Sequence, residues 1–107
     1  MIFWIDDLRE PPQKEGYRWI KSVNEAKTAI QEFESLKTRN CIDSEIDYLD
    51  MDHDAGDYAC DGGDYIKLLD WLEEEGYCYD IRIHSMNTVG RDNMRRIIVH
   101  NGWKEIY

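Results

Sequence analysis

A chain of 107 residues with 23 acidic and 13 basic side chains has room for one core and carries a formal net charge of −10. A domain of this size buries about two-thirds of the surface that its unfolded chain exposes, and its 13 aromatic residues (four Trp, seven Tyr, two Phe) are enough to pack a core. The charge excludes a binder that grips duplex nucleic acid through a broad basic face, since its field repels phosphate. It leaves open an enzyme that meets phosphate through a metal ion. Apolar runs of five residues or fewer fall far short of the roughly 20 that a membrane-spanning helix needs. The opening Met1-Ile2-Phe3-Trp4-Ile5-Asp6-Asp7 has no basic region and no long apolar stretch, so it is not a secretory signal. Cys41, Cys60 and Cys78 are scattered without a Cys-x-x-Cys and do not form a disulfide framework. The expectation is a single cytoplasmic domain over residues 1–107.

Ile2 to Ile5 is wholly apolar and reads as a strand buried on both faces, stopping at Asp6-Asp7. Pro11, Pro12 and Gly16 forbid a regular helix between residues 8 and 16. Arg18 to Lys21 alternates and reads as a second short strand. Ser22 followed by Glu25 is a capping box. Val23, Ala26, Ile30 and Phe33 then line one face of a helix running to Lys37, with Asn40 as its stop. Ile46 to Met51 is the next strand, and the Gly- and Asp-rich stretch to Gly63 reads as a loop. A helix over Asp64 to Glu75 turns Ile66, Leu69 and Leu72 inward and ends at Gly76. Ile81 to His84 is a strand. Thr88 to Asn101 is a helix with Val89, Met94, Ile97 and Ile98 on one face, closed by Gly102. Trp103 to Tyr107 is a last strand.

Strands alternating with helices define an α/β domain with a mainly parallel sheet. Right-handed crossovers are expected to place helices on both faces, giving three layers and a flavodoxin-like strand order. The first and last helices of a full doubly wound domain are missing. The Pro-containing loop replaces the first, and the chain stops before the last.

Open parallel sheets bind ligands at the carboxyl ends of their strands. Three strands end there in Asp6-Asp7, in Asp52-His53-Asp54 and in His84-Ser85-Met86-Asn87. Asp6, Asp7, Asp52 and Asp54 would repel one another, and a hard divalent cation removes that cost. Mg²⁺ or Mn²⁺ suits such ligands, with Ca²⁺ the lesser alternative. In so acidic a chain these residues could equally cap helices and solvate loops. His53 and His84 titrate near ~6.5 when unperturbed and so suit proton transfer, though either could ligate metal or bond a loop carbonyl. Ser85 and Asn87 can donate to phosphate oxygens, and Arg9 and Arg91 can clamp them or simply pair with the many acids. His100 reads as a surface residue favoured by the helix dipole. Asp50, Asp52 and Asp54 begin like a calcium-binding loop. However, Ala55 stands where that loop needs Gly, Asp61 where it needs Glu, and a strand precedes it.

Asp6-Asp7 after the first strand and Asp52 after the central strand resemble the acidic pocket of response-regulator receiver domains. That resemblance implies Mg²⁺ at the three acids and a chemical role for Asp52. Receivers also carry a Lys at the end of the fifth strand, where only Lys104 lies nearby here, which disfavours phosphorelay. The fuller pattern is Asp6-Asp7-Leu8-Arg9-Glu10-Pro11, Asp52-His53-Asp54-Ala55-Gly56 and His84-Ser85-Met86-Asn87 with Gly90 and Asn93-Met94. It is similar to the divergent cyclic-phosphate-processing branch of receiver-like domains. The implied function is metal-dependent hydrolysis or opening of a cyclic phosphate, on a small nucleotide or an RNA end. In it Asp52 and His84 or His53 carry the chemistry, and Arg9, Ser85, Asn87 and Arg91 hold the phosphate. Two alternatives stand beside it. One is a module that binds a phosphate-bearing ligand without turnover. The other is an acidic surface for a basic protein partner, motivated by the net charge.

Overall fold

The computed structural model describes residues 1–38 and 45–107. Its five strands are β1 (Ile2–Ile5), β2 (Tyr17–Ile20), β3 (Tyr48–Met51), β4 (Ile81–Ile83) and β5 (Glu105–Ile106). Its three helices are α1 (Val23–Thr38), α2 (Ile66–Glu75) and α3 (Thr88–Asn101). The sheet order is β2-β1-β3-β4-β5, and every pairing is parallel. This is the expected α/β class with a receiver-like order.

The layering differs from the expectation of helices on both faces. From β2 over β1 to β3, then to β4 and β5, each helical crossover steps the same way along the sheet. Right-handed crossovers that step one way share a face. Phe3, Ile5, Ile20, Leu49, Met51, Ile81 and Ile83, which the strand registers align, join one core with Val23, Ala26, Ala29 and Ile30 of α1, Leu68, Leu69 and Leu72 of α2, and Met94 and Ile98 of α3. Each Val, Leu, Ile, Phe or Met among them, fully buried, contributes about 1.5–3 kcal/mol. Trp4, one residue out of phase, faces the other side. There the loop between β1 and β2 lies where a helix was absent from the sequence pattern. Two indoles pin that loop: Trp4 Nε1 donates to the Arg9 carbonyl and Trp19 Nε1 to the Asp6 carbonyl, both at 2.8 Å.

Local chemistry explains the boundaries. Lys21 leaves β2 because its N–H donates to Glu25 Oε1 at 2.9 Å, while Ser22 Oγ accepts the Glu25 N–H at 3.0 Å. The capping box thus closes on the residue before Ser22. The predicted stop at Asn40 lies outside the described residues. In the acidic loop, Gly56–Cys60 form a 3-10 turn that the sequence reading passed over. Helix α2 starts at Ile66 instead of Asp64, whose carboxylate accepts the Ala55 N–H at 3.0 Å. Val89 is exposed, and Gly90 takes the inward position in line with Met94 and Ile98.

Candidate functional site

Asp6 ends β1 in a tight turn. Its Oδ1 accepts the N–H groups of Leu8 and Arg9, each at 2.9 Å. Its Oδ2 faces His84 Nε2 at 2.9 Å, and His84 Nδ1 faces Asp50 Oδ1 at 2.7 Å. Arg82 Nη1 then donates to both Asp50 oxygens at 3.2 and 3.1 Å. The His84 ring lies flat on Trp4, with centroids 4.1 Å apart and planes 3° apart. Strand periodicity brings these groups together. Trp4, Asp50 and Arg82 are in register on adjacent strands, and His84 follows Arg82 by two residues. Charges therefore alternate along a row that starts with buried Asp6, His84 and Asp50 and ends at the more exposed Arg82.

That row fixes its own protonation. Burial pulls the His84 pKa down, but hydrogen bonds and charge from Asp50 and Asp6 outweigh it, and the net shift is upward. Burial likewise opposes ionisation of Asp6, yet the Arg9 and Leu8 N–H groups and His84 hold its pKa below the usual range. With both ring nitrogens engaged by carboxylates, His84 has no nitrogen left to exchange a proton with a ligand in this arrangement. Its place is as the brace behind Asp6.

The second tier of the edge is Asp7 and Asp52. Carboxylate oxygens of Asp6, Asp7 and Asp52 lie within 4.8 Å of one another. Asp7 reaches this position because Gly56, at φ +55°, has no side chain; a Cβ there would sit 2.2 Å from Asp7 Oδ2. Burial, with the like charges of Asp6, Asp52 and Asp57, pushes the Asp7 pKa up. Asp52 Oδ1 accepts the N–H of His53 at 2.8 Å. Three hard oxygen donors, one of them held against its neighbours' repulsion, fit a divalent cation of the Mg²⁺ or Mn²⁺ type.

Asp54 stands apart from this cluster and is not brought together with the other three acids. Its Oδ1 pairs with His53 Nδ1 at 2.8 Å, and its Oδ2 accepts from Asn87 Nδ2 at 3.4 Å. The His53 ring packs on α3 at Gly90, where a Cβ would lie 2.5 Å from His53 Cγ. Asn87 is the N-cap of α3, and its Oδ1 accepts the Gly90 N–H at 2.9 Å. Buried Ser85 accepts the Asn87 N–H at 3.0 Å. Ser85 and Asn87 thus shape the turn into α3, and Asn87 spends its amide oxygen there. Arg9 is exposed, with its backbone committed to Asp6 and Trp4. Arg91 Nε is the one buried side-chain polar atom among the described residues without a hydrogen-bond partner.

Arg82 and Trp4 were not singled out from the sequence, and Asp50 was weighed only as the start of a calcium-binding-like loop, not as the partner of His84. A usable signal existed: an acid inside an apolar strand needs a buried partner, and Arg82 and His84 share a strand face.

A parallel sheet with clustered acids at the carboxyl ends of its central strands defines a receiver-like α/β domain. The chain belongs to the cyclic-phosphate processing receiver domain family, whose model matches residues 1–100. Comparison with curated proteins and with solved structures gives no match. No helix among the described residues is long and apolar enough to cross a membrane.

Proposed function

We propose that this domain opens or hydrolyses a cyclic phosphate carried by a nucleotide or an RNA end. The observation that carries this reading is the convergence of Asp6, Asp7 and Asp52 oxygens within 4.8 Å, in a chain of the cyclic-phosphate processing family. A divalent cation on these three carboxylates would neutralise phosphate charge and polarise the phosphorus–oxygen bond. Water adds to phosphorus, one ring P–O bond breaks, and the freed oxygen takes a proton. His53 suits that proton transfer: Asp54 engages its Nδ1 and leaves Nε2 for a ligand. Arg91, in the first turn of α3, is the side chain we assign to the non-bridging oxygens. His84 holds Asp6 in place.

One feature favours the second reading, a pocket that captures a phosphate-bearing ligand without turnover. His84 carries carboxylates on both nitrogens, so a single histidine remains for acid–base work. A product assay on nucleoside 2′,3′-cyclic phosphates and a cyclic-ended RNA, with Mg²⁺, Mn²⁺ or chelator, separates the two. Metal-dependent opening should fall by about 10²-fold or more in His53→Ala, the usual contribution of a general acid–base group. Binding without product in every metal refutes catalysis and leaves the capture module.

A further inference from the structure

The loop after β1 folds back along the helix-free face of the sheet and leaves a cleft of about 390 Å³ against β2. The cleft is lined by Tyr17, Trp19, Pro11 and Pro12, with the polar residues Glu10, Gln13 and Lys14. Its volume falls at the lower end of the roughly 300–1,000 Å³ found for small-ligand sites. Tyr17 and Trp19 are two apart in β2 and share one face of the strand. Trp19 also belongs to the acidic edge, because its Nε1 donates to the Asp6 carbonyl at 2.8 Å. Trp19 pairs with Trp4 in register, and Asp6 follows Trp4 by two residues, a step of about 6.6 Å along a strand. Trp19 thus touches both the cleft and the turn that carries Asp6.

We infer that this cleft binds the nucleobase of the nucleotide whose phosphate sits at Asp6, Asp7 and Asp52. The inference rests on the cyclic-phosphate reading and adds a base subsite to it. Aromatic and proline rings accept the face of any base, so recognition by stacking tolerates different bases. The Gln13 amide offers a donor and an acceptor to a base edge. A net charge of −10 opposes a groove that tracks a polynucleotide backbone. The ligand is therefore one nucleotide, free or at a chain end.

The test is calorimetric titration in Mg²⁺ with five probes: uridine and adenosine, their 2′,3′-cyclic monophosphates, and the base-free 1-O-methylribose 2,3-cyclic phosphate. The cyclic nucleotides should bind at least about fivefold more tightly than the base-free compound, the low end for one base–aromatic stack. Tyr17→Leu should erase that difference and Tyr17→Phe should keep it. Equal affinity of base-bearing and base-free compounds for the wild-type protein overturns the cleft and leaves the phosphate reading standing. That comparison needs no variant, so it holds even where Tyr17→Leu fails to fold. Tyr17-dependent binding of uridine or adenosine to which the cyclic phosphate adds nothing, with Asp7→Asn silent, keeps the base cleft and removes the phosphate reading. Absence of saturable binding by every base-bearing probe overturns the inference.

Discussion

Gly90→Ala isolates the contact that places His53. Gly90 sits in the first turn of α3 and has no positive φ, so the backbone accepts alanine. The added methyl would lie 2.5 Å from His53 Cγ, 2.6 Å from Cδ2 and 2.8 Å from Nδ1. Ordinary carbon contacts are about 3.5–4.0 Å, so the ring must retreat by about 1 Å. The 2.8 Å bond to Asp54 then breaks. That bond is worth little, since Asp54 is 60% exposed, and the cost comes from overpacking, about 1–3 kcal/mol. Replacing Gly by Ala inside a helix returns about 1 kcal/mol. The net expected change is a loss of about 0–2 kcal/mol. In a His53→Ala background the clash is gone, and the same substitution should stabilise by up to about 1 kcal/mol. Urea denaturation of the four proteins gives the cycle, with an expected coupling of about 1–3 kcal/mol. Additive effects, with no coupling, would refute the packing of His53 on α3. The cycle needs no substrate and tests the site geometry apart from any activity.

Two further outcomes follow from the charges. In chelator, Asp7→Asn should melt above wild type, because it removes a carboxylate that burial and Asp6, Asp52 and Asp57 hold in its less favoured ionised form. Saturating Mg²⁺ or Mn²⁺ should reverse the order, raising wild-type stability by about 2.7 kcal/mol at a hundredfold excess over Kd; a wild-type Tm blind to both metals would count against the cation site. Asp61 accepts from Ser22 Oγ at 2.6 Å and from Asn24 Nδ2 at 3.1 Å, which lowers its pKa. A lowered carboxylate contributes stability above its unfolded pKa and loses it as pH falls through the folded value. The acid limb of the stability curve should therefore flatten in Asp61→Asn, and an unchanged limb would show that this tether carries nothing.

Much of the architecture was written in local pattern. Ile2–Ile5 is apolar throughout because β1 is central and covered on both sides, and α3 runs over the predicted Thr88–Asn101 between an Asn cap and Gly102. Gly56–Cys60 gave no such signal, since a single 3-10 turn has no periodicity to detect. The one-sided helix layer was not legible, because it depends on strand order, which no local pattern encodes. At the site, residue types at strand ends located Asp6, Asp7 and Asp52. They did not separate Asp54 from them or tie His84 to Asp50. Those partners are fixed by side-chain direction and cross-strand register, both long-range consequences of folding.

The Asp6–His84 pair joins groups 78 residues apart in the chain; Asp7 shares the β1 end with Asp6, and Asp52 follows β3. No fragment holding fewer than three adjacent strands brings these groups together. Partly folded forms without β4 consequently lose the brace behind Asp6, and any metal affinity of the three acids becomes a readout of the β1, β3 and β4 pairing. Any ion that binds there draws the folding equilibrium with it, so its free concentration sets how much of the chain is folded as well as how much is loaded.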